Sequence, residues 1–298
     1  TLGQNFLDAY VQRPLDRYNV YARGDYEIND WVGVFAQATY TQSNTNTVQQ
    51  PSPSVNGWSG FARASNPVPA ELRSILDSRV IPVNTPESVR TLLNCDPNAV
   101  AGAPGSGATC DWQLTYYLDY ANRESNTSVK TFGLVVGLDG SIPGTDWTWE
   151  AFTSAGESDT YTLLTGIASL ARFREVINAP NWGAGFTSQG NPPFGGFGAS
   201  RATCTSGFNP FDLDLQISQD CIEAISADLQ NRSVMRQNVY EVNAQGGLFD
   251  LPAGQLRASL GASHRVNSYN FTNDTLTSQG RSFIDQAIGI YPSGNSRG

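Results

Sequence analysis

Six stretches of this sequence alternate apolar and polar side chains with a period of two, and they come as three pairs, each joined by a short turn. In Arg17 to Ile28, Tyr18, Val20, Ala22, Gly24, Tyr26 and Ile28 share one face, while Arg17, Asn19, Tyr21, Arg23, Asp25 and Glu27 share the other. Such alternation specifies a β-strand with two unlike faces, and twelve residues is long beside the usual five or six. Asn29-Asp30 reads as a turn into Trp31 to Thr41, where Val32, Val34, Ala36, Ala38 and Tyr40 alternate with Gln37, Thr39 and Thr41. The second pair runs from Lys130 to Leu138 and from Trp147 to Ala155. Phe132, Leu134, Val136 and Leu138 lie on one face of its first strand, and Trp147, Trp149, Ala151 and Ala155 on one face of its second. In the third pair, Tyr240, Val242, Ala244 and Leu248 precede a turn at Asp250-Leu251-Pro252-Ala253-Gly254. Leu256, Ala258, Leu260, Ala262 and Val266 follow it.

Between the pairs lie very long connectors, about 42–127 and 156–232, with a third stretch at 268–298. Compact soluble domains rarely carry connectors beyond about 15 residues. Short turns alternating with long loops, on strands of about 9–11 residues or more, form the pattern of a transmembrane β-barrel. The expected fold is therefore all-β, an antiparallel barrel portion of about six strands with short periplasmic turns and long extracellular loops, all within one domain over 1–298. In such a barrel the apolar face meets lipid, and Arg23, Asp25, Glu27, Glu241, Arg257 and Arg265 face the lumen. Trp31, Trp147 and Trp149 sit beside the short turns, where an interfacial aromatic girdle belongs. Lys130 interrupts the apolar face, placed at the loop end of its strand where its amine can snorkel to the head groups. Six strands cannot close a barrel, and open edges would leave backbone groups unsatisfied in lipid. Further strands are expected outside this stretch, and both ends read as cut. A soluble β-sandwich burying the same apolar faces is the competing architecture.

Composition agrees. Charged residues make up 15% of the 298, against roughly 25% in an ordinary soluble domain, and the net charge is −9. No basic face offers itself to nucleic acid, and one His excludes a His-built metal site. No basic-then-apolar leader opens the sequence, and no run of about 18 apolar residues suggests a membrane helix. Cys95 and Cys110, and Cys204 and Cys221, form two local pairs in Gly/Asn/Ser-rich stretches without CxxC spacing. Two loop-stapling disulfides in an oxidising compartment are expected; four free thiols are the other possibility. The connectors carry helical signals at Pro69–Ser78, at Thr85–Leu93 with Thr85 as N-cap and Pro86 at the first helical position, and at Ile217–Leu229.

Aromatic residues on the Gly-rich connectors are candidate ligand contacts: Trp58, Trp112, Tyr116, Tyr117, Trp182, Phe186, Phe194 and Phe197. The Gly-rich segment 181–198 lacks phosphate-loop spacing, so nucleotide binding is not expected. His264, placed mid-strand on the lipid-assigned face, cannot serve a Ser-His-Asp triad. Paired loop carboxylates such as Asp212 and Asp214 are the one hydrolase signal, and a weak one. No covalent chemistry, cofactor or metal is expected. A secreted soluble protein that binds glycans through the connector aromatics is the alternative function.

Several segments resemble TonB-dependent outer-membrane receptors of Gram-negative proteobacteria: Asp16-Arg17-Tyr18-Asn19-Val20-Tyr21-Ala22-Arg23-Gly24-Asp25-Tyr26, Asn66-Pro67-Val68-Pro69-Ala70-Glu71-Leu72-Arg73, and Phe249-Asp250-Leu251-Pro252-Ala253-Gly254-Gln255-Leu256-Arg257-Ala258 followed by Leu260-Gly261-Ala262-Ser263-His264-Arg265. The resemblance implies a 22-stranded barrel filled by an N-terminal plug. It implies uptake of a scarce siderophore, cobalamin or oligosaccharide. It also implies coupling to the TonB complex through an N-terminal region that this stretch does not contain. On that resemblance the chain is a middle part of the barrel, in contact with outer-membrane lipid.

Overall fold

In the computed structural model, residues 12–53, 61–113, 117–188, 197, 200–278, 282–283 and 293–298 are described. Six long strands dominate: β1 (Leu15–Asn29), β2 (Val32–Pro53), β3 (Tyr117–Ser141), β4 (Thr148–Ser169), β5 (Ser226–Leu251) and β6 (Gly254–Thr272). A short β7 (Gly294–Arg297) follows. Each pairs antiparallel with its sequence neighbours, in the order β1-β2-β3-β4-β5-β6-β7. Ser282–Phe283 adds a two-residue pairing at the far end of β4. Among the described residues β1 bonds only to β2, so they form an open antiparallel sheet rather than a closed barrel.

The three predicted turns form where sequence placed them. Asn29 Oδ1 accepts hydrogen bonds from the Trp31 and Val32 amides, both at 3.0 Å, the turn-closing geometry that makes Asn favourable there. Ile142 and Trp147 close the second turn with a 2.8 Å bond, over Gly144 at φ +80°. Leu251 pairs with Gly254, which leaves Pro252-Ala253 as a two-residue turn.

The far ends differ from expectation. β2 runs on to Pro53, β3 starts at Tyr117, β4 reaches Ser169 and β5 begins at Ser226, so connectors expected at 42–127 and 156–232 shrink to 54–116 and 170–225. The ladder simply continues: Thr45 pairs with Thr127, Thr47 with Ser125, Thr162 with Asn231. Lys130 consequently lies mid-strand rather than at a loop end. Likewise, β6 extends to Thr272 inside the stretch expected to be loop from 268.

The connectors fold into helical lobes. The first carries α1 (Ala70–Asp77) and α2 (Glu87–Leu92). Pro86, not Thr85, occupies the cap position of α2, because its carbonyl receives the Val89 and Arg90 amides. The second carries α3 (Leu170–Ile177), which alternation and capping signals did not flag, and α4 (Gln219–Ile225). α4 is shorter than the predicted 217–229 because the ladder to β4 captures the chain at Ser226. Both disulfides, Cys95–Cys110 and Cys204–Cys221, are formed. The one hydrophobic core cluster among the described residues is in the second lobe, with Phe173, Val176, Ile177, Phe208, Cys204, Cys221 and Ile225 at 1% exposure or less.

Candidate functional site

The sheet packs on the second-lobe core at its far end, where Ala168 of β4 joins that cluster, while over the middle of the sheet the apolar face stays exposed and is the most unusual surface among the described residues. Register brings the apolar positions of six strands into continuous rows. One row is Tyr26, Val34, Leu138, Ala151, Val242 and Ala262, and the next Gly24, Ala36, Val136, Thr153, Tyr240 and His264. Beyond them come Ala22, Ala38, Leu134, Ala155, Asn238 and Val266. Large members stand open, with Tyr26 at 71% and Leu260 at 68% exposure. No described residue forms a second layer over them.

The belt has two chemical borders. At the turn end lie Trp31, half exposed, and Trp149 in the row of Ala244 and Leu260. Trp147 lies flat on Gly246, where a Cβ would come within 2.3 Å of the indole, and it donates from Nε1 to the Gly247 carbonyl at 2.9 Å. At the other end the same face turns ionic. Arg236 Nε donates to Glu157 at 2.6 Å, Arg232 binds Asp159 through two nitrogens at 2.9 and 2.6 Å, and Lys130 stands opposite Asp159. Glu157 lies eight residues on from Trp149. At about 3.4 Å per residue, that is about 27 Å along the strand. Six strands make the belt roughly 25 Å wide. Its area is on the order of 600 Å², the upper end of what soluble monomers expose. A shallow trough of about 590 Å³ crosses its centre, lined by Val136, Ala151, Tyr240, Val242, Ala262 and His264.

The opposite face collects all six predicted lumen residues. Arg23, Asp25 and Glu27 of β1 share it with Glu241 of β5 and Arg257 and Arg265 of β6. It is not wholly polar: Phe35 and Phe152 pack over Gly137, whose Cβ would come within 2.5 Å of Phe35. Arg257 is also tied down, donating to Asp146 at 2.8 Å and to Gln255 at 3.1 Å. Asp146 in turn accepts the Gly247 amide at 2.9 Å. That amide first, and Arg257 after it, hold the Asp146 carboxyl below its ordinary pKa. The second turn is thereby fastened to the third hairpin.

The predicted ligand aromatics divide. Trp182 is fully buried, as is all but 6% of Phe197, so neither presents a ring to a ligand. The Trp182 indole donates to the Pro67 carbonyl at 2.7 Å, and Asn66 bridges the lobes by donating to the Ile177 carbonyl at 3.1 Å. Trp112 meets Trp182 edge-on at 6.2 Å, and Phe211, not singled out from sequence, meets both. Phe197 packs on Phe186 at 5.6 Å, with the Arg172 guanidinium 5.8 Å from its ring. These rings join two connectors into one cap. Tyr117 begins β3; Trp58, Tyr116 and Phe194 lie outside the described residues. Asp212 commits a carboxylate oxygen to the Asp214 amide in a local turn. The Ser218 hydroxyl, then those of Thr205 and Thr203 and the Thr205 amide, push Asp220 down to about 2 beside the Cys204–Cys221 staple.

No protein-family model, curated protein or solved structure matches the chain. No helix among the described residues is long and apolar enough to cross a membrane, which says nothing of crossing by strands.

Proposed function

We propose that the chain is wall from an outer-membrane β-barrel transporter of the TonB-dependent kind, taking up a scarce siderophore, cobalamin or oligosaccharide. The observation that carries this is the uncovered apolar belt, continuous across six strands and bordered by tryptophans on one side and ion pairs on the other. In water such a face would drive association; against acyl chains it is the stable arrangement. The turn ends would face the periplasm, and the cross-stapled cap would face outward, where a captured ligand first meets protein. The wall would position and enclose, while coupling to the TonB complex would come from the rest of the protein.

A secreted glycan-binding protein is less well supported, since one of its proposed contact rings, Trp182, is fully buried. The test uses the full-length protein in cells. Uptake that collapses when TonB is removed, for at least one candidate ligand class, is the expected result. A chain recovered wholly in the soluble fraction without detergent would overturn the reading.

A further inference from the structure

The polar face of the sheet is zoned by charge. Towards the turns, one row carries Glu27, Asp139 and Glu150, the next Asp25 and Glu241, and a third Arg23 and Arg265. The two rows that follow are different. One runs Tyr21, Thr39, Gly133, Gly156, Gln237 and Asn267, and the other Asn19, Thr41, Thr131, Ser158, Met235 and Tyr269. Across all six strands neither row contains an Asp, Glu, Lys, Arg or His.

A groove of about 490 Å³ lies along these two rows from β3 to β7, within the size range of small-molecule sites. Its floor is bare at Gly156, where an added Cβ would meet nothing nearer than the Phe132 carbonyl at 3.8 Å. Glu157 and Arg236 reach it only from the strand ladder, since their side chains pair with each other on the opposite face. Gln237 Nε2 donates to Asn267 Oδ1 at 2.9 Å, which sets the direction of both carboxamides. Among the described residues this leaves the Gln237 carbonyl oxygen and the Asn267 amide nitrogen for a ligand, and both residues are exposed. The Thr131 and Ser158 hydroxyls lie 3.5 Å apart beside them. Met235 and Tyr269 stand open on the same stretch, at 56% and 38% exposure.

The polar side chains of this groove are hydroxyls and carboxamides, and each kind both donates and accepts. A sugar hydroxyl also does both, so a run of them around a ring finds a partner in either sense. An anionic ligand such as a carboxylate-bearing ferric chelate presents acceptors, and is held by the guanidinium or ammonium groups that these rows lack. The Tyr269 ring and the Met235 thioether add apolar surface for the C–H face of a sugar ring.

We propose that the groove is a ligand site for a neutral oligosaccharide on the lumen wall, between the cap and the charged rows, with Gln237, Asn267, Thr131 and Ser158 bonding its hydroxyls. This narrows the transported ligand of the barrel reading, on which it rests, to one class. The test titrates maltotriose, cellotriose and xylotriose, with ferric citrate and cyanocobalamin for comparison, into detergent-purified full-length protein by calorimetry. At least one trisaccharide should bind. Gln237→Leu with Asn267→Leu should weaken it about tenfold. Gly156→Leu, which fills the floor, should abolish it, and Thr45→Leu, two rows further along the same face, should leave it unchanged. Absence of binding by all three sugars, or binding indifferent to both groove variants, overturns the site. Binding of ferric citrate or cyanocobalamin that Gly156→Leu abolishes overturns the ligand class. A Ser158→Cys thiol that a water-soluble maleimide cannot reach in the full-length protein marks a protein segment as the occupant and overturns the ligand too. Protein that enters detergent yet binds no sugar loses the site and keeps the barrel. Protein that binds sugar through these residues while soluble without detergent loses the barrel and keeps the site.

Discussion

Trp182 holds a left-handed backbone at φ +58°, directly after Asn181 at φ +54°. Such conformations cost of order 1–3 kcal/mol each and persist only where the surroundings fix them. Here the surroundings are a buried ring, its bond to Pro67 and the edges of Trp112 and Phe211. Trp182→Ala should therefore destabilise the cap by about 3–5 kcal/mol, read as earlier loss of near-ultraviolet circular dichroism in urea. Trp182→Phe should lose about 1 kcal/mol through the indole bond alone. Asp220 gives a pH dependence. Its folded pKa of about 2 lies below the unfolded value, so its contribution is complete above about pH 4. It is lost as pH falls towards 2. Asp220→Asn should remove that contribution at neutral pH and flatten the acid limb of a cap-unfolding profile. The type of these residues was legible in the sequence but not their use. A tryptophan in a Gly-rich segment reads as exposed until its partner carbonyl, 115 residues earlier, is in place.

The hairpins were legible because one face of each carries mostly apolar side chains and the other mostly polar ones. Past Gln42 and before Thr127 that contrast fades, since Asn44, Thr45, Asn46 and Thr47 put polar groups on both faces. Alternation then carries no signal, although backbone pairing continues unbroken, and the strands were read short. α3 escaped for a different reason: it follows β4 at once, and no side chain caps its first turn. The Cys204–Cys221 staple closes a separation of 17 residues, for which chain entropy predicts about 3 kcal/mol. Replacing both cysteines by serine should expose the second lobe to proteolysis at lower denaturant while leaving the β4–β5 ladder protected from hydrogen exchange. Asp146→Ala should loosen the turn end instead, raising exchange at the Gly247 amide and leaving the cap unchanged.

The two faces of the sheet make opposite predictions for the same substitution. Val136→Arg puts a cation in the middle of the belt and should cost about 2–4 kcal/mol of folding into bilayers. Ser154→Arg, on the other face, should cost far less, with the comparison made by urea titration of the full-length protein in liposomes. Comparable losses at the two positions would count against a lipid-facing belt. The order of the strands carries a consequence of another kind. Among the described residues, apart from the two-residue pairing of Ser282–Phe283 with β4, each long strand is bonded to its neighbours in sequence, so deleting or doubling one hairpin leaves the registers of the other hairpins untouched. Such a sheet is assembled from interchangeable two-strand units, and its width is a quantity that copying errors in a gene can change in steps of two.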